Sequence, residues 1–141
     1  MKVKDLMTGA VEFVHPQDAV QMAAKKMERN NVGIMPVLDD RQHAVGVITD
    51  RDITIRVVAE NLSADMTPVR DVMTPNVLFC KEDDHIAAAA EMMKKNQVRR
   101  LLVKNEEENF TGVLSLGDIA VDAGASLSGE VLEEVSKPPM P

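Results

Sequence analysis

Two short stretches carry residue types that can do chemistry at a helix start. Thr49-Asp50-Arg51-Asp52 follows the apolar run Gly46-Val47-Ile48, and Ser115-Leu116-Gly117-Asp118 follows Gly112-Val113-Leu114. Each reads as a strand, a hydroxyl residue, an aspartate three positions on, and a helix. A hydroxyl beside the backbone N–H groups of a helix start suits an anionic phosphate. A carboxylate three residues later can accept hydrogen bonds from both hydroxyls of a ribose. Thr49, Asp52, Ser115 and Asp118 are therefore two candidate nucleotide half-sites. The same spacing is that of a capping box, in which hydroxyl and acid close on the helix's own first turn. The box prefers Glu or Gln, and both copies here use Asp. Spacing alone leaves both readings open. Arg51 is either a phosphate donor or a solvated helix position.

Other chemistries find little support. His15, His43 and His85 are widely spaced, without metal-ligand spacing, and read as surface histidines. Ser63, Ser115, Ser126 and Ser128 lack a nucleophile-elbow context. Gly46 and Gly112 stand alone, outside any Walker or dinucleotide fingerprint. Cys80, the sole cysteine, excludes an intrachain disulfide and reads as a small buried hydrophobe. Catalysis is not expected. The net charge of −7 and an aromatic content of 2% argue against nucleic-acid binding. No apolar run approaches the length of a membrane helix, and the expected location is the cytoplasm. With 141 residues and 45% apolar content, the chain buries enough surface to fold without a metal or disulfide.

The elements that must position these residues are duplicated. Val3-Lys4-Asp5-Leu6-Met7-Thr8 returns as Val69-Arg70-Asp71-Val72-Met73-Thr74. The offset then holds without a gap through Asp18/Asp84, Met27/Met93, Val37/Val103, Gly46/Gly112 and Asp52/Asp118. Each copy reads as β-α-β-β-α. The first has a strand at 11–14, a helix capped by Asp18 with Val20, Ala23, Ala24 and Met27 on one face, strands at 34–38 and 44–49, and a helix at 50–59. The second has strands at 77–80, 100–104 and 110–115, with helices at 84–96 and 116–123. One copy alone buries too little, so the two are expected to pack pseudo-symmetrically through their sheets. The reading divides the chain into unit 1–59, linker 60–68, unit 69–124 and an acidic tail 125–141. The tail is expected to be mobile, with one or two helical turns over Leu127 to Val135.

This duplicated, ordered set resembles a tandem pair of CBS domains, the module named after cystathionine β-synthase. The resemblance rests on Asp5-Leu6-Met7-Thr8, Val32-Gly33-Ile34-Met35-Pro36-Val37 and Gly46 to Ile53, with their second copies at 71–75, 98–103 and 115–119. It covers residues 1 to about 123, and a short chain consisting of little else resembles stand-alone bacterial CBS-pair proteins. It implies a cleft between the repeats that takes an adenosine nucleotide of the AMP, ADP or ATP class, with NAD(H) or S-adenosylmethionine ranked after these. Thr49 and Ser115 match the family's phosphate-side hydroxyls, and Asp52 and Asp118 its ribose-binding aspartates. Arg99 and Arg100 fall where the family places basic residues facing phosphate, and guanidinium groups supply bidentate donors. Strand alternation predicts that the two arginines point to opposite sides. The resemblance implies that the cleft holding Asp52 draws its phosphate contacts from the second repeat, where Arg99 and Arg100 lie. The cleft holding Asp118 draws them from the first, where their counterparts Gly33 and Ile34 carry no charge, so the cleft holding Asp52 is expected to be the tighter phosphate site. Leu102 stands where the family usually has the proline kept at Pro36, so the two clefts are expected to differ. The resemblance also implies a homodimer that senses cellular energy state and signals to a regulated protein. The alternative is a ligand-free interaction module working through its dimer surface.

Overall fold

The computed structural model describes residues 1–122 and 125–137. In chain order the elements are α1 (Val3–Leu6), β1 (Thr8–Gly9), α2 (Val20–Asn30), β2 (Ile34–Leu38), β3 (Ala44–Thr49), α3 (Asp50–Ile53), β4 (Phe79–Lys81), α4 (Ile86–Asn96), β5 (Arg100–Lys104), β6 (Phe110–Ser115), α5 (Leu116–Asp122) and α6 (Ala125–Val135). A wider turn over Thr54–Val58 continues α3, and a 3-10 turn spans Val69–Asp71. This is the mixed α/β class expected from the repeat.

The chain forms two compact units, a first of Glu12–Val77 and a second of Met1–Val11 with the chain from Leu78 onward. The boundaries 1–59 and 69–124 mark the repeat in sequence, whereas the compact units are drawn differently. Each opening motif lies in the unit whose body comes from the other repeat: Asp5 to Thr8 in the second unit, Asp71 to Thr74 in the first.

In the first unit β2 and β3 form an antiparallel pair, from Ile34 opposite Thr49 to Leu38 opposite Ala44. Single bridges flank the pair, Val14 beside Val37 and Thr74 beside Val47. The α2 helix places Val20, Ala23 and Met27 against Met35, Val37, Ile48, Val57, Val69 and Val72. Asp18 is not its cap. The helix begins after Ala19, and the Asp18 carboxylate accepts the His15 N–H at 2.8 Å, closing the preceding turn instead. The helix ends at Asn31, whose φ of 53° is left-handed, a conformation asparagine tolerates.

The second unit has a four-stranded sheet of order β1-β6-β5-β4, with β4 parallel to β5. Its core joins Val3 and Leu6 to Cys80, Ile86, Ala89, Ala90, Met93, Leu101, Val103, Leu114, Ile119 and Val131. The second repeat's first helix starts at Ile86 rather than 84, because Asp84 accepts the Lys81 N–H at 2.9 Å while His85 caps the helix through Ala87 N–H. Burial pushes the Cys80 thiol up to about 12, so it stays protonated at neutral pH, in keeping with a buried hydrophobe.

The strand expected at 11–14 shrinks to the bridge at Val14, and two prolines explain it. In the second unit Leu102 N–H donates to Leu78 O at 3.1 Å and Glu82 N–H to Lys104 O at 3.1 Å, extending the parallel pairing at both ends. The matching first-unit positions are Pro36 and Pro16, which have no N–H to give. The carbonyl of Leu38, deprived of a backbone donor from position 16, meets His15 Nδ1 at 2.9 Å instead.

The tail is more ordered than its composition predicts. The α6 helix runs for 11 residues, buries Val131 completely and packs Leu127 and Val135 on the second unit's core. Apolar spacing of four residues through 127, 131 and 135 drives this docking. The expectation of a mobile end at 138–141, and the last residue of the helix expected at 116–123, lie outside the described residues.

Candidate functional site

Both hydroxyl–aspartate pairs close as capping boxes. In the first unit Thr49 Oγ1 accepts the Asp52 N–H at 3.0 Å, and Asp52 Oδ2 accepts the Thr49 N–H at 3.0 Å. In the second, Ser115 Oγ accepts the Asp118 N–H at 3.1 Å, and Asp118 Oδ2 accepts the Ser115 N–H at 2.8 Å. The first amide of each helix is also occupied, Asp50 N–H by Gly33 O at 3.0 Å and Leu116 N–H by Arg99 O at 2.9 Å. The helix starts therefore use amides that a phosphate would otherwise take. In the first unit Arg51 N–H is taken as well, by Asp50 Oδ1 at 2.8 Å, so an anion arriving there must draw on side-chain donors.

Beyond the boxes the two aspartates differ. Asp52 is only 9% exposed. The Thr74 hydroxyl donates to its carboxylate at 3.2 and 3.3 Å, and Arg56 Nη1 stands 3.5 Å from Oδ1. Arg56 is anchored in turn on Val72 O at 2.7 Å. Thr74 reaches Asp52 because its backbone lies on Gly46, where a Cβ would meet Thr74 O at 2.8 Å. Asp118 is half-buried, and among the described residues it has neither a threonine nor an arginine on its carboxylate. Position 122, which matches Arg56 in the repeat, is aspartate.

The arginines settle to one side. Arg99 lies on the bend before β5 and Arg100 opens the strand, so the alternation rule does not span the pair. Both exposed side chains line one hollow of about 580 Å³ within the second unit. Ser115 lines it with them. Leu116, Gly117 and Ala120 of α5, with Gly129 and Leu132 of α6, complete the wall. Five donors on each guanidinium and the Ser115 hydroxyl hydrogen can meet an anion there. The first unit is built otherwise at the matching place. A Cβ on Gly33 would meet Asp50 Oδ2 at 2.8 Å, so a carboxylate stands where the second unit has Arg99.

Of the seven candidate residues, Arg99, Arg100 and Ser115 share the hollow, with Asp118 bonded to Ser115. Thr49, Arg51 and Asp52 belong to the first unit, and Arg51 is exposed on α3. Sequence reasoning missed Gly129 and Leu132, because the tail was read as a mobile end. The signal was present in the apolar spacing of 127, 131 and 135. It also missed Thr74 and Arg56 over Asp52. Among the described residues no group of three or more His, Cys, Asp or Glu is arranged to hold a metal ion. Among them, too, no helix is long and apolar enough to cross a membrane.

The chain matches the family described as CBS domain twice, over residues 3–59 and 69–121. It is 35% identical over 135 residues to the CBS domain-containing protein YhcV of Bacillus subtilis (strain 168), covering 95% of this chain and 94% of that one. Among solved structures, CBSX2 in complex with AMP superposes with a TM-score of 0.74 at 26% identity, over 86% of this chain and 95% of that one. The CBS domain pair of protein MJ0100, in complex with 5′-methylthioadenosine and S-adenosyl-L-methionine, gives a TM-score of 0.73 at 26% identity, over 86% and 94%.

Proposed function

Because the chain belongs to the CBS domain family, as a tandem pair of the regulatory rather than catalytic kind, we propose that it binds an adenosine nucleotide of the AMP, ADP or ATP class and passes the bound state to a partner protein. The observation that carries this reading is the convergence of Arg99, Arg100 and Ser115 on one hollow. The phosphates meet the guanidinium groups and the Ser115 hydroxyl, and Asp118 takes the ribose hydroxyls. The AMP and S-adenosyl-L-methionine complexes of structural neighbours support an adenosine ligand. In the first unit a ligand at Thr49, Arg51 and Asp52 has to compete with Thr74 and Arg56 for the carboxylate and approach past Asp50. The second unit's hollow is therefore the tighter phosphate site in this reading, which reverses the ranking drawn from the absence of charge at Gly33 and Ile34. A cytoplasmic homodimer that reports energy state belongs to the same reading.

A thermal-shift screen tests it. Ligand at about 100 times its dissociation constant adds roughly 2.7 kcal/mol of stability, a clear rise in melting temperature. AMP, ADP or ATP is expected to raise the melting temperature of the parent and not of Arg100→Ala. No rise with these nucleotides, NAD(H) or S-adenosylmethionine would sink the proposal. The exposed apolar residues Ile55, Val58 and Leu62 would then favour the second reading, a ligand-free module acting through its dimer surface.

A further inference from the structure

We infer that Arg56 is a latch in the first unit: it ties the Asp52 carboxylate to the main chain of residues 72–74, and a ligand that takes Asp52 loosens that segment. The inference rests on the nucleotide reading above and adds a route by which occupancy of Asp52 passes along the chain. One guanidinium nitrogen makes the tie. Arg56 Nη1 donates to Val72 O at 2.7 Å and to Met73 O at 3.3 Å. The same nitrogen lies 3.4 Å from Thr74 Oγ1 and 3.5 Å from Asp52 Oδ1. The Thr74 hydroxyl closes the ring by donating to that carboxylate at 3.2 and 3.3 Å. All of these residues belong to the first unit, and the chain leaves that unit just beyond them, between Val77 and Leu78.

Seating of this segment does not by itself ask for an arginine. The segment that opens the first repeat seats on its own strand in the second unit, Thr8 opposite Val113 and Gly9 opposite Gly112. The position matching Arg56 there is 122, an aspartate. The backbone differs as well. Arg56 sits in a wide turn of π type over Thr54–Val58, whereas the matching residues that are described, 120–122, stay in regular α-helix. Such turns are rare and recur at functional sites. The two ends of the ion pair are unequally held: the Arg56 side chain is 48% exposed and that of Asp52 11%. A guanidinium half in water gives up a 3.5 Å pair at small cost. The carboxylate has about four acceptor sites, and its Oδ2 already takes the Thr49 N–H. Two ribose hydroxyls need the lone pairs that face Thr74 and Arg56. Ligand and closed latch therefore compete, and the competition is reciprocal: an open latch raises affinity, and the ligand loosens 72–74.

Hydrogen exchange and calorimetry on the full chain test this. The probe is the tightest of AMP, ADP and ATP, and its 2′,3′-dideoxy analogue is the control without the two hydroxyls. In the parent the probe is expected to speed exchange of the Thr74 amide, which is bonded to Val47 O, by about fivefold. The Met27 amide in α2 is expected not to speed up, and the dideoxy control to leave Thr74 unchanged. Arg56→Gln is expected to show the faster Thr74 exchange without ligand and no further gain with it. In an Asp118→Ala background, which leaves Asp52 as the ribose acceptor, Arg56→Gln is expected to bind the probe about fivefold or more tightly than the background alone. If Arg56→Gln melts well below the parent, Thr74→Val, which keeps the shape and loses the hydroxyl, decides by the same gain in affinity. Faster exchange in Arg56→Gln with unchanged affinity, and no effect of the probe on Thr74 in the parent, makes Arg56 a structural tie. That result overturns the latch and leaves the nucleotide reading intact. A loss of affinity in Arg56→Gln overturns the latch as well, because the arginine then holds the ligand. No binding of AMP, ADP or ATP by the parent overturns both readings together.

Discussion

Asp52 and Asp118 hold the same place in the repeat, and their surroundings give them different work. The Asp52 carboxylate is buried and meets a backbone amide, the Thr74 hydroxyl and Arg56. Removing it leaves two half-buried donors, the Thr49 N–H and the Thr74 hydroxyl, without this acceptor. Hydrogen bonds to charged groups are worth about 1.5–3 kcal/mol, and a lost helix cap about 1 kcal/mol. Asp52→Ala is therefore expected to lower stability by about 2–4 kcal/mol in urea melts, against about 1 kcal/mol or less for Asp118→Ala. The order is expected to reverse in nucleotide titrations, with Asp118→Ala losing more affinity. Equal stability losses would show that Thr74 and Arg56 contribute nothing to Asp52. The Thr/Ser-x-x-Asp spacing was legible in the sequence, and so was its double meaning. The asymmetry was not, because Thr74 and Arg56 reach Asp52 from 22 residues away and from one helical turn on.

Most elements follow from local pattern, and the departures have local causes. The strands Ile34–Leu38, Ala44–Thr49, Arg100–Lys104 and Phe110–Ser115 run as their apolar patterns predict. The strand at 11–14 fails because its pairing depends on N–H groups at positions 16 and 36, both proline, one of them on another strand. The arginine pair was misread because alternation holds only within a strand, and Arg99 precedes it. Three glycines test this view of the elements. Gly46 and Gly112 admit the backbone of Thr74 and Thr8 at distances no Cβ tolerates, and those partners are main chain that cannot swing aside. Gly46→Ala and Gly112→Ala are each expected to cost about 1–3 kcal/mol, as overpacked sites do. Gly129→Ala is expected to raise stability by up to about 1 kcal/mol, the helix-propensity difference, since among the described residues no atom lies within 4 Å of the added methyl. Denaturant midpoints of the three variants decide the matter. A destabilised Gly129→Ala would mean that α6 packs more tightly than the structure describes.

At the scale of the whole molecule, the uniform repeat makes the chain look like two beads in sequence, and the contacts redistribute them. The apolar residues Val3 and Leu6 complete the core of the second unit, and Val69 and Val72 that of the first. An offset in sequence cannot reveal this exchange, because either assignment leaves the repeat unchanged. What the units still leave open to water is also apolar. Ile55 is 44% exposed, Val58 69% and Leu62 50% in the first unit, and Val121, at the repeat position of Ile55, is 80% exposed in the second. Scattered apolar residues on a surface need no explanation, but under the homodimer reading proposed above Ile55, Val58 and Leu62, with Val121 at the place matching Ile55, would form the association surface. A self-complementary contact between two chains of this kind covers it with the fewest distinct surfaces. The parent is expected to scatter light as a particle of twice 15.5 kDa at about 50 μM. Combining Val58→Glu with Val121→Glu places a charge among the exposed apolar residues of each unit without touching either core, and is expected to return the particle to the mass of one chain. Its nucleotide affinity should stay within about threefold of the parent's, because neither position lines the hollow. A parent that is monomeric at that concentration, or a variant that remains a dimer, would assign these residues no part in self-association.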